Sequence, residues 1–228
     1  KLIKKYFKKI VISFIRILSR TRIGNLINEI LIQTMMENIK NVNHKNIRMK
    51  FAVPNKLNYF RIKTFSSKEP ETLDWIDSFP KGSIFWDIGA NIGLYSIYAA
   101  KSRDCKVFSF EPSIFNLELL GRNIFCNNIH DQITIIPFAL SKEMGSNLMK
   151  FTSTEWGGAL STFGENTGWD GRNIKDIFAF KTFGCSMDEV VSLLNIPQPD
   201  YIKIDVDGIE HLILKGGQIV LKNIKGLL

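Results

Sequence analysis

Cysteine is scarce in this sequence, which has three among 228 residues: Cys105, Cys126 and Cys185. They lie far apart and lack the C-x-x-C spacing of a zinc site or the even pairing of a disulfide framework. We therefore expect no metal site, and three reduced thiols, mostly buried, in a cytoplasmic protein.

Acidic residues are absent from the first 22 positions. That segment holds eight of the 30 basic residues, and the other 22 equal the acidic residues in number, so the net charge of +8 belongs to one end of the chain. A basic face on the folded domain is not expected, which argues against nucleic acid as a partner.

The same segment, residues 1–22, also lacks an apolar run of the roughly 20 residues that cross a bilayer. Its apolar residues recur at helical spacing opposite the basic ones, which predicts a basic amphipathic helix. Those apolar residues are Ile3, Phe7, Ile10, Phe14 and Ile17. Such a helix either lies peripherally on the anionic inner face of a membrane or packs on the domain or on a partner chain.

Residues 23–80 are interpreted as an N-terminal extension of a helix, a hairpin and a helix. The stretch 21–50 is polar and weakly helical in pattern, the alternation over 51–65 predicts the hairpin, and Pro70 opens the second helix.

Residues 81–228 alternate strand-like and helix-like patterns, which predicts an α/β core with a doubly wound, mostly parallel sheet. Strands are expected at 84–86, 106–110, 132–138 and 201–205, and helices at 93–101, 114–127, 187–194 and 210–222. The pattern up to residue 224 should lead into another strand, but only four residues, "KGLL", follow it. We therefore expect the sheet to be incomplete after its fourth strand.

The first motif is "FWDIGANIGLYS", Phe85 to Ser96. Gly89 and Gly93 allow a buried strand to turn sharply into a helix whose first N–H groups can bind an anionic group. Asn91 and Leu94 occupy the positions of the second and third glycines of a dinucleotide fingerprint, which disfavours a pyrophosphate ligand.

The second motif, "VFSFEP", ends a predicted strand at Glu111, 22 residues after Gly89. An acid at this point can accept hydrogen bonds from both hydroxyls of a ribose. The alternative is an acid that favours the start of the following helix.

The third motif is "DYIKIDVDGIEHLILKGG", Asp200 to Gly217. Asp205, Asp207 and Glu210 fall beyond the carboxyl end of a strand, where ligands bind in such sheets. Clustered carboxylates need a partner, which is a cationic ligand group, Lys203, a metal ion or a proton.

Together these blocks resemble the FkbM-type methyltransferase family. The matching segments are "EPETLDWID", "FWDIGANIGLYSIYAA", "FSFEPSIFNLELLGRN", "IPFALS" and "KIDVDGIEHLILKGG", in the family's order and spacing over roughly residues 68–217. The family usually has Glu where this chain has Asp207.

The resemblance implies a class I, Rossmann-like methyltransferase fold that uses S-adenosylmethionine to methylate an oxygen, often on sugars or polyketide-like products. Asp87, Gly89, Asn91 and Gly93 would then surround the methionine part of the cofactor. Glu111 would bind the ribose, and Asn116 and Ala139 would flank the adenosine.

Methylation of a hydroxyl depends mainly on positioning, with a smaller contribution from a base. Candidates for the base are Asp205, Asp207, Glu210 and His211, and we favour Asp207 or Glu210. The acceptor is expected to be a small molecule or saccharide.

A long Gly-, Ser- and Thr-rich segment lies between residues 142 and 185. It is either an acceptor-binding lid in which Trp156 and Trp169 stack on a sugar, or a surface hairpin. Two rival functions for the whole chain are an NAD-dependent oxidoreductase of Rossmann type and a catalytically silent binding or scaffold protein.

Overall fold

The structure, a computed structural model, describes residues 2–168 and 170–228. Its helices are α1 (Leu2–Leu18), α2 (Arg22–Met36), α3 (Lys56–Lys63), α4 (Phe65–Lys68), α5 (Pro70–Asp77), α6 (Leu94–Arg103), α7 (Ile114–Asn127), α8 (Met187–Leu193) and α9 (Glu210–Lys215). Its strands are β1 (Ile39–His44), β2 (Ile47–Ala52), β3 (Ile84–Ile88), β4 (Lys106–Phe110), β5 (Ile133–Ile136), β6 (Ala139–Leu140), β7 (Gly145–Phe151), β8 (Ser161–Phe163), β9 (Phe178–Cys185), β10 (Tyr201–Ile204) and β11 (Gly226–Leu227).

The hairpin of the extension lies earlier than the alternation over 51–65 predicts. Strands β1 and β2 pair antiparallel from Ile39–Ala52 to His44–Ile47, across a two-residue turn in which Lys45 has a φ of 48°. The sequence of β1 is mostly polar and lacks the apolar alternation that predicts a strand. After β2 the chain enters α3 instead of a second strand, because the Asn55 side chain caps that helix by accepting from the N–H of Asn58 at 2.8 Å.

Among the described residues, no helix combines the length and apolar character needed to cross a membrane. The pair α1 and α2 is joined by a short turn in which the Thr21 side chain accepts from the N–H of Gly24. Both helices precede the hairpin in the chain.

The central sheet has five described strands, all parallel, in the order β11-β10-β3-β4-β5. The chain runs outward from β3 through β4 to β5, then returns to the other side of β3 to form β10. This reversal between β3 and β10 is the point at which doubly wound sheets bind ligands. A short strand, β11, does follow the fourth strand and pairs with it through Tyr201–Gly226 and Ile202–Leu227.

Alternate residues of the strands build a separate apolar core on each face of the sheet. In β3, Phe85 packs in the core that includes the hairpin, α5, α6 and α7, whereas Trp86 and Ile88 pack in the opposite core. Asp87 alternates with them and faces α6. The predicted α/β, doubly wound architecture is confirmed.

A second sheet, in the order β6-β9-β7-β8, forms from the segment between residues 139 and 185. Its apolar residues Met149, Phe151 and Phe163 belong to the core that contains Trp86. The segment is thus a folded layer rather than a long loop, and its turn over residues 152–160 lies at the ligand end of the central sheet.

The helix expected over 210–222 ends at Lys215, followed by a 3₁₀ turn over Val220–Asn223. A Cβ on Gly216 would lie 2.4 Å from the carbonyl oxygen of Ser141. The chain therefore passes the second sheet too closely for a side chain at this position, and the glycine pair ends the helix.

Candidate active site

The turn after β3 brings backbone into the ligand end of the sheet. Gly89 and Gly93 both have a φ of 83°, and Asn91 has a φ of 51°. A Cβ on Gly89 would lie 2.1 Å from the carbonyl oxygen of Asp205, and one on Gly93 would lie 2.6 Å from Leu120. Glycine is required at Gly89 because β10 approaches it so closely.

Glu111 lies at the end of β4, buried beside this turn. One carboxylate oxygen accepts from the N–H of Asn91 at 2.7 Å and the other from the N–H of Ser113 at 2.8 Å. Burial raises the pKa of Glu111 to about 7, although these hydrogen bonds act in the opposite direction. Each oxygen keeps a lone pair that can accept from a ligand hydroxyl.

Asp87 and Gly93 lie behind the turn and do not line the cavity beside it. One Asp87 oxygen accepts from the Ser96 hydroxyl at 2.5 Å, and Ser96 also contacts the Ser109 hydroxyl at 2.8 Å. Desolvation raises the pKa of Asp87, and the charge of Lys203 opposes the shift. The structure therefore places Asp87 under the turn, where it braces α6 against β3 and β4.

Lys203 pairs with Asp205, as the sequence allowed. The ammonium donates to the Asp205 carboxylate at 3.0 Å and lies 4.9 Å from the ring centroid of Tyr95. The Lys203 side chain is only 4% exposed, whereas that of Asp205 is 64% exposed. A buried cation thus holds a carboxylate at the mouth of the site.

Asp207 is bonded to the turn of the second sheet. One of its oxygens accepts from the N–H groups of Leu160 at 2.5 Å and Ser161 at 3.1 Å. Burial raises the pKa of Asp207 despite these bonds. Glu210 and His211 start α9 away from the cavity, and His211 is exposed.

The turn over residues 152–160, which we call the lid, is bonded to both the core and the extension. Asn116 accepts from the N–H of Gly157 at 3.1 Å and donates to the carbonyl of Gly158 at 3.2 Å. From the extension, Arg61 donates two hydrogen bonds to the carbonyl of Gly157, at 3.1 and 2.7 Å. The Asn58 side chain donates to the carbonyl of Trp156 at 2.9 Å.

Two adjoining cavities lie beneath the lid, with volumes of about 230 and 290 Å³. The first contains most of the predicted site residues, namely Gly89, Asn91, Glu111, Asn116, Ala139, Asp205 and Asp207. The second adds further residues of the extension, among them Glu69, and shares six residues with the first: Arg61, Lys68, Gly89, Asn91, Ala159 and Asp205. Trp156 lines neither cavity, and Trp169 lies outside the described residues.

Three features of the first cavity fit S-adenosylmethionine. Glu111 presents free lone pairs for a ribose, and Gly89 brings bare backbone to the cavity wall. The side-chain oxygen of Asn91 is buried without a hydrogen-bond partner among the described residues, so it can accept from a bound molecule.

A parallel sheet whose strand order reverses beside a glycine turn, with an acid at the end of the next strand, defines a Rossmann-like, nucleoside-binding α/β protein. Residues 87–227 match the sequence model of the methyltransferase FkbM domain. The chain belongs to the FkbM methyltransferase family. This confirms the resemblance and, with it, S-adenosylmethionine as the cofactor, and it argues against a nicotinamide-dependent oxidoreductase.

Two characterised relatives carry methyltransferase names. The hexuronic acid methyltransferase AglP of Haloferax volcanii is 26% identical over 179 residues, which are 77% of this chain and 66% of that protein. The methyltransferase sdnD of Sordaria araneosa is 32% identical over 72 residues, 31% of this chain and 28% of that protein. The chain therefore spans less than two thirds of either relative's length.

Among solved structures, the precorrin-6Y C5,15-methyltransferase of Geobacter metallireducens aligns with a TM-score of 0.40 at 16% identity. The alignment covers 70% of this chain and 58% of that one.

Sequence reasoning missed the extension's contribution to the site. Arg61, Lys68 and Glu69 line the cavities, although the patterns around them predict only a hairpin and a helix start. The signal that could have found them is the run of mixed charges before Pro70, just ahead of the core. Their place against Gly89 depends on long-range packing, which no local pattern reveals.

Proposed function

We propose that this protein is an S-adenosylmethionine-dependent methyltransferase that methylates a hydroxyl group of a saccharide-type acceptor. The observation that carries the proposal is one cavity that contains both Glu111 and Asp207 beside the Gly89 turn. The name of the Haloferax volcanii relative supports an acceptor of the sugar-acid type.

The chain's own residues would hold the cofactor by its adenosine half. Glu111 would accept from the two ribose hydroxyls, and Asn116 and Ala139 would flank the base. Binding of a diol to Glu111 favours the ionised carboxylate, since only that form accepts on both oxygens.

When bound, S-adenosylmethionine supplies an electrophilic methyl group on a sulfonium. The acceptor oxygen would take this methyl group as it leaves the sulfur, and the hydroxyl proton would pass to a base. Asp207 is the proposed base, because it lines the cavity and its raised pKa brings it nearer to neutral pH. Asp205 is the second candidate, held by Lys203 at the mouth of the cavity.

The second sheet supplies polar groups for the acceptor. Ser161 and Thr162 line the first cavity next to Asp207. The Thr162 hydroxyl is buried without a hydrogen-bond partner among the described residues. An unsatisfied buried hydroxyl is costly, and a sugar hydroxyl would satisfy it.

The test is a methyl-transfer assay with tritiated S-adenosylmethionine against glycan and lipid-linked saccharide fractions, with wild-type protein and Asp207→Asn. The variant should lose about 10²-fold or more in rate while it retains affinity for S-adenosylhomocysteine. The matched control is Asp131→Asn, which replaces an exposed carboxylate away from the cavity.

Label that reaches only protein would contradict a saccharide acceptor. Tight cofactor binding with no transfer to any fraction would favour the silent binding protein instead. A rate that falls with Asp205→Asn and not with Asp207→Asn would move the base to Asp205. The cytoplasmic location stays a prediction.

A further inference from the structure

The second cavity has an unusual set of charges for its size. It is lined by cationic Arg61, Lys68 and Lys203 and by anionic Glu69 and Asp205. Its other walls are apolar or aromatic, and they include Leu57, Phe60, Phe65, Leu94 and Tyr95. Both signs of charge therefore face one space of about 290 Å³ that opens onto the Gly89 turn.

Glu69 is held as an anion within this cavity. Lys68 donates to one of its oxygens at 2.6 Å, and the Tyr95 hydroxyl donates to the other at 2.7 Å. Burial acts to raise the pKa of Glu69, but the hydrogen bonds from Lys68 and Tyr95 outweigh it and hold that pKa below its usual value. Tyr95 stays a neutral donor, because burial and Glu69 raise its pKa.

A ligand with one ammonium and one carboxylate matches this arrangement. Glu69 and Asp205 offer acceptors for the ammonium, and Lys68 offers donors for the carboxylate. Asn91 lines both cavities, and its side-chain oxygen, which has no hydrogen-bond partner in the part of the chain that the structure describes, adds an acceptor.

We propose that the N-terminal extension, through Lys68 and Glu69, binds the amino-acid end of S-adenosylmethionine in the second cavity, while the first cavity binds the adenosine end. The inference rests on S-adenosylmethionine as the cofactor. It assigns a role in binding to residues that precede the matched FkbM domain, 87–227. Arg61, bonded to the lid, would add positive charge to the same end.

A neutral acceptor hydroxyl would not require this pairing of charges. A zwitterion can bind a cation and a carboxylate of this cavity at once, without adding net charge. The acceptor is therefore placed at the Asp207 side of the first cavity.

The test compares two cofactor products by isothermal titration. S-adenosylhomocysteine carries the amino-acid end, and 5′-methylthioadenosine lacks it. Lys68→Met and Glu69→Gln should each weaken binding of S-adenosylhomocysteine by about 10-fold. Each should leave the affinity for 5′-methylthioadenosine within about 2-fold, because neither replaces Glu111, Asn116 or Ala139, the residues proposed to hold the adenosine.

Lys63→Met and Glu71→Gln are the matched controls, since these residues are exposed nearby and line neither cavity. Equal effects of Lys68→Met on both ligands, or an effect only on the KM for acceptor, would overturn the inference and leave the cofactor assignment standing. Failure of the wild-type protein to bind either ligand would overturn both.

A second, independent observation concerns the pair α1 and α2. Phe7, Ile10, Phe14 and Ile17 are each about two-thirds exposed, at 68, 67, 65 and 66%. On α2, Ile23 is 71% exposed and Ile32 is 63% exposed. Monomeric proteins rarely leave apolar faces of this size uncovered.

The charges around the apolar faces of α1 and α2 indicate which kind of partner covers them. The exposed basic residues of the described pair are Lys8, Lys9, Arg16, Arg20 and Arg22, and the first acid in the chain is Glu29. A second copy of the pair would bring cations against cations, whereas anionic lipid headgroups would neutralise them.

We infer that the α1–α2 pair binds the surface of an anionic membrane, with its apolar faces in the headgroup boundary. Vesicle flotation with phosphatidylcholine alone and with added phosphatidylglycerol tests this. Wild-type protein should partition about 10-fold or more strongly to the anionic vesicles, and less so in high salt. Phe14→Glu should abolish binding, whereas Phe125→Glu, on an exposed apolar residue of α7, should not.

Equal partition to both vesicle types would contradict the inference. So would a dimer in light scattering that Phe14→Glu converts to a monomer, because the partner would then be a second copy. Retained binding of S-adenosylhomocysteine shows that each variant is folded.

Discussion

The two walls of the cavities are held in different ways. The core wall consists of strand ends, where Gly89 meets the backbone of Asp205 and Glu111 accepts from two backbone N–H groups. The lid wall is held by single side chains that reach across about a hundred residues of sequence, such as Arg61 to Gly157. The core wall therefore has one conformation set by close packing, whereas the lid wall depends on a few exchangeable hydrogen bonds.

The sharpest test of the core wall is Gly89→Ala. A methyl group there would lie 2.1 Å from the Asp205 carbonyl oxygen, on backbone with a φ of 83°. We expect a loss of at least about 3 kcal/mol in the free energy of unfolding, measured by urea denaturation, and loss of S-adenosylhomocysteine binding.

Gly82→Ala is the matched control, because Gly82 has a φ of 76° with nothing within 4 Å of an added Cβ. It should lose only about 1 to 2 kcal/mol, the cost of the left-handed backbone. Similar losses for the two variants would show that the approach of β10 does not set the core wall.

Glu111→Gln should have the next largest effect. Replacing the carboxylate removes the acceptor of two ribose hydroxyls, and we expect about 100-fold weaker binding of S-adenosylhomocysteine by titration calorimetry. Glu118→Gln is the control, since Glu118 pairs with Arg122 on the half-exposed surface of α7. An equal loss in the control would contradict a direct role for Glu111.

Glu111 should also make the free energy of unfolding depend on pH. Its pKa of about 7 in the folded protein exceeds the ordinary value of 4.5, so the folded state binds the proton more tightly. The contribution of Glu111 to stability is therefore full at low pH and falls as pH rises from about 4.5 to about 7. Urea denaturation across this window should show a flatter profile for Glu111→Gln than for wild type.

The affinity for the cofactor should change with pH in the opposite direction. Ribose hydroxyls donate to the ionised form, so binding should strengthen as pH rises towards about 7 and then level off. Calorimetry in buffers of different ionisation enthalpy should detect a proton released on binding. Proton uptake would contradict this assignment.

The core wall could be predicted from sequence because its causes are local. A buried strand, a glycine that tolerates positive φ and an acid at the next strand end follow each other within 25 residues, from Asp87 to Glu111. The local pattern does not show which structure the Asp87 side chain faces. Asp87 alternates with Trp86 and Ile88, yet only the packing of α6 shows that it faces Ser96 rather than the cavity.

The lid wall could not be predicted because its contacts join distant segments. The sequence around Asn58 gives no sign of a contact with the lid. Its side chain nevertheless donates to the carbonyl of Trp156, which is 98 residues away. The hairpin of the extension differs from its predicted position for a related reason, since β1 is polar and, among the described residues, pairs with β2 alone. Side-chain to backbone bonds between remote segments leave no periodic trace in a sequence.

Arg61→Met tests whether the lid wall depends on the hydrogen bonds that join it to the extension. The change removes two hydrogen bonds to the Gly157 carbonyl, so the lid should open more often. We expect amide exchange of Leu160 and Ser161 to quicken about 10-fold, with little change in global stability. Arg48→Met, on the exposed hairpin, is the control, and unchanged exchange in Arg61→Met would show that Asp207 and Asn116 suffice.

The smallest effect is expected from Trp156→Ala. Both extension contacts at this residue use its carbonyl oxygen, which accepts from Asn55 and Asn58 at 2.9 Å each, and the residue is 36% exposed. Because the substitution keeps that carbonyl, the melting temperature and the affinity for S-adenosylhomocysteine should stay close to wild type, within about 0.5 kcal/mol. A rise in the KM for a saccharide acceptor, with cofactor affinity unchanged, would support the predicted stacking of the indole on a sugar. A large loss of stability would instead show that the ring itself secures the lid, and the contrast between the two walls would then be wrong.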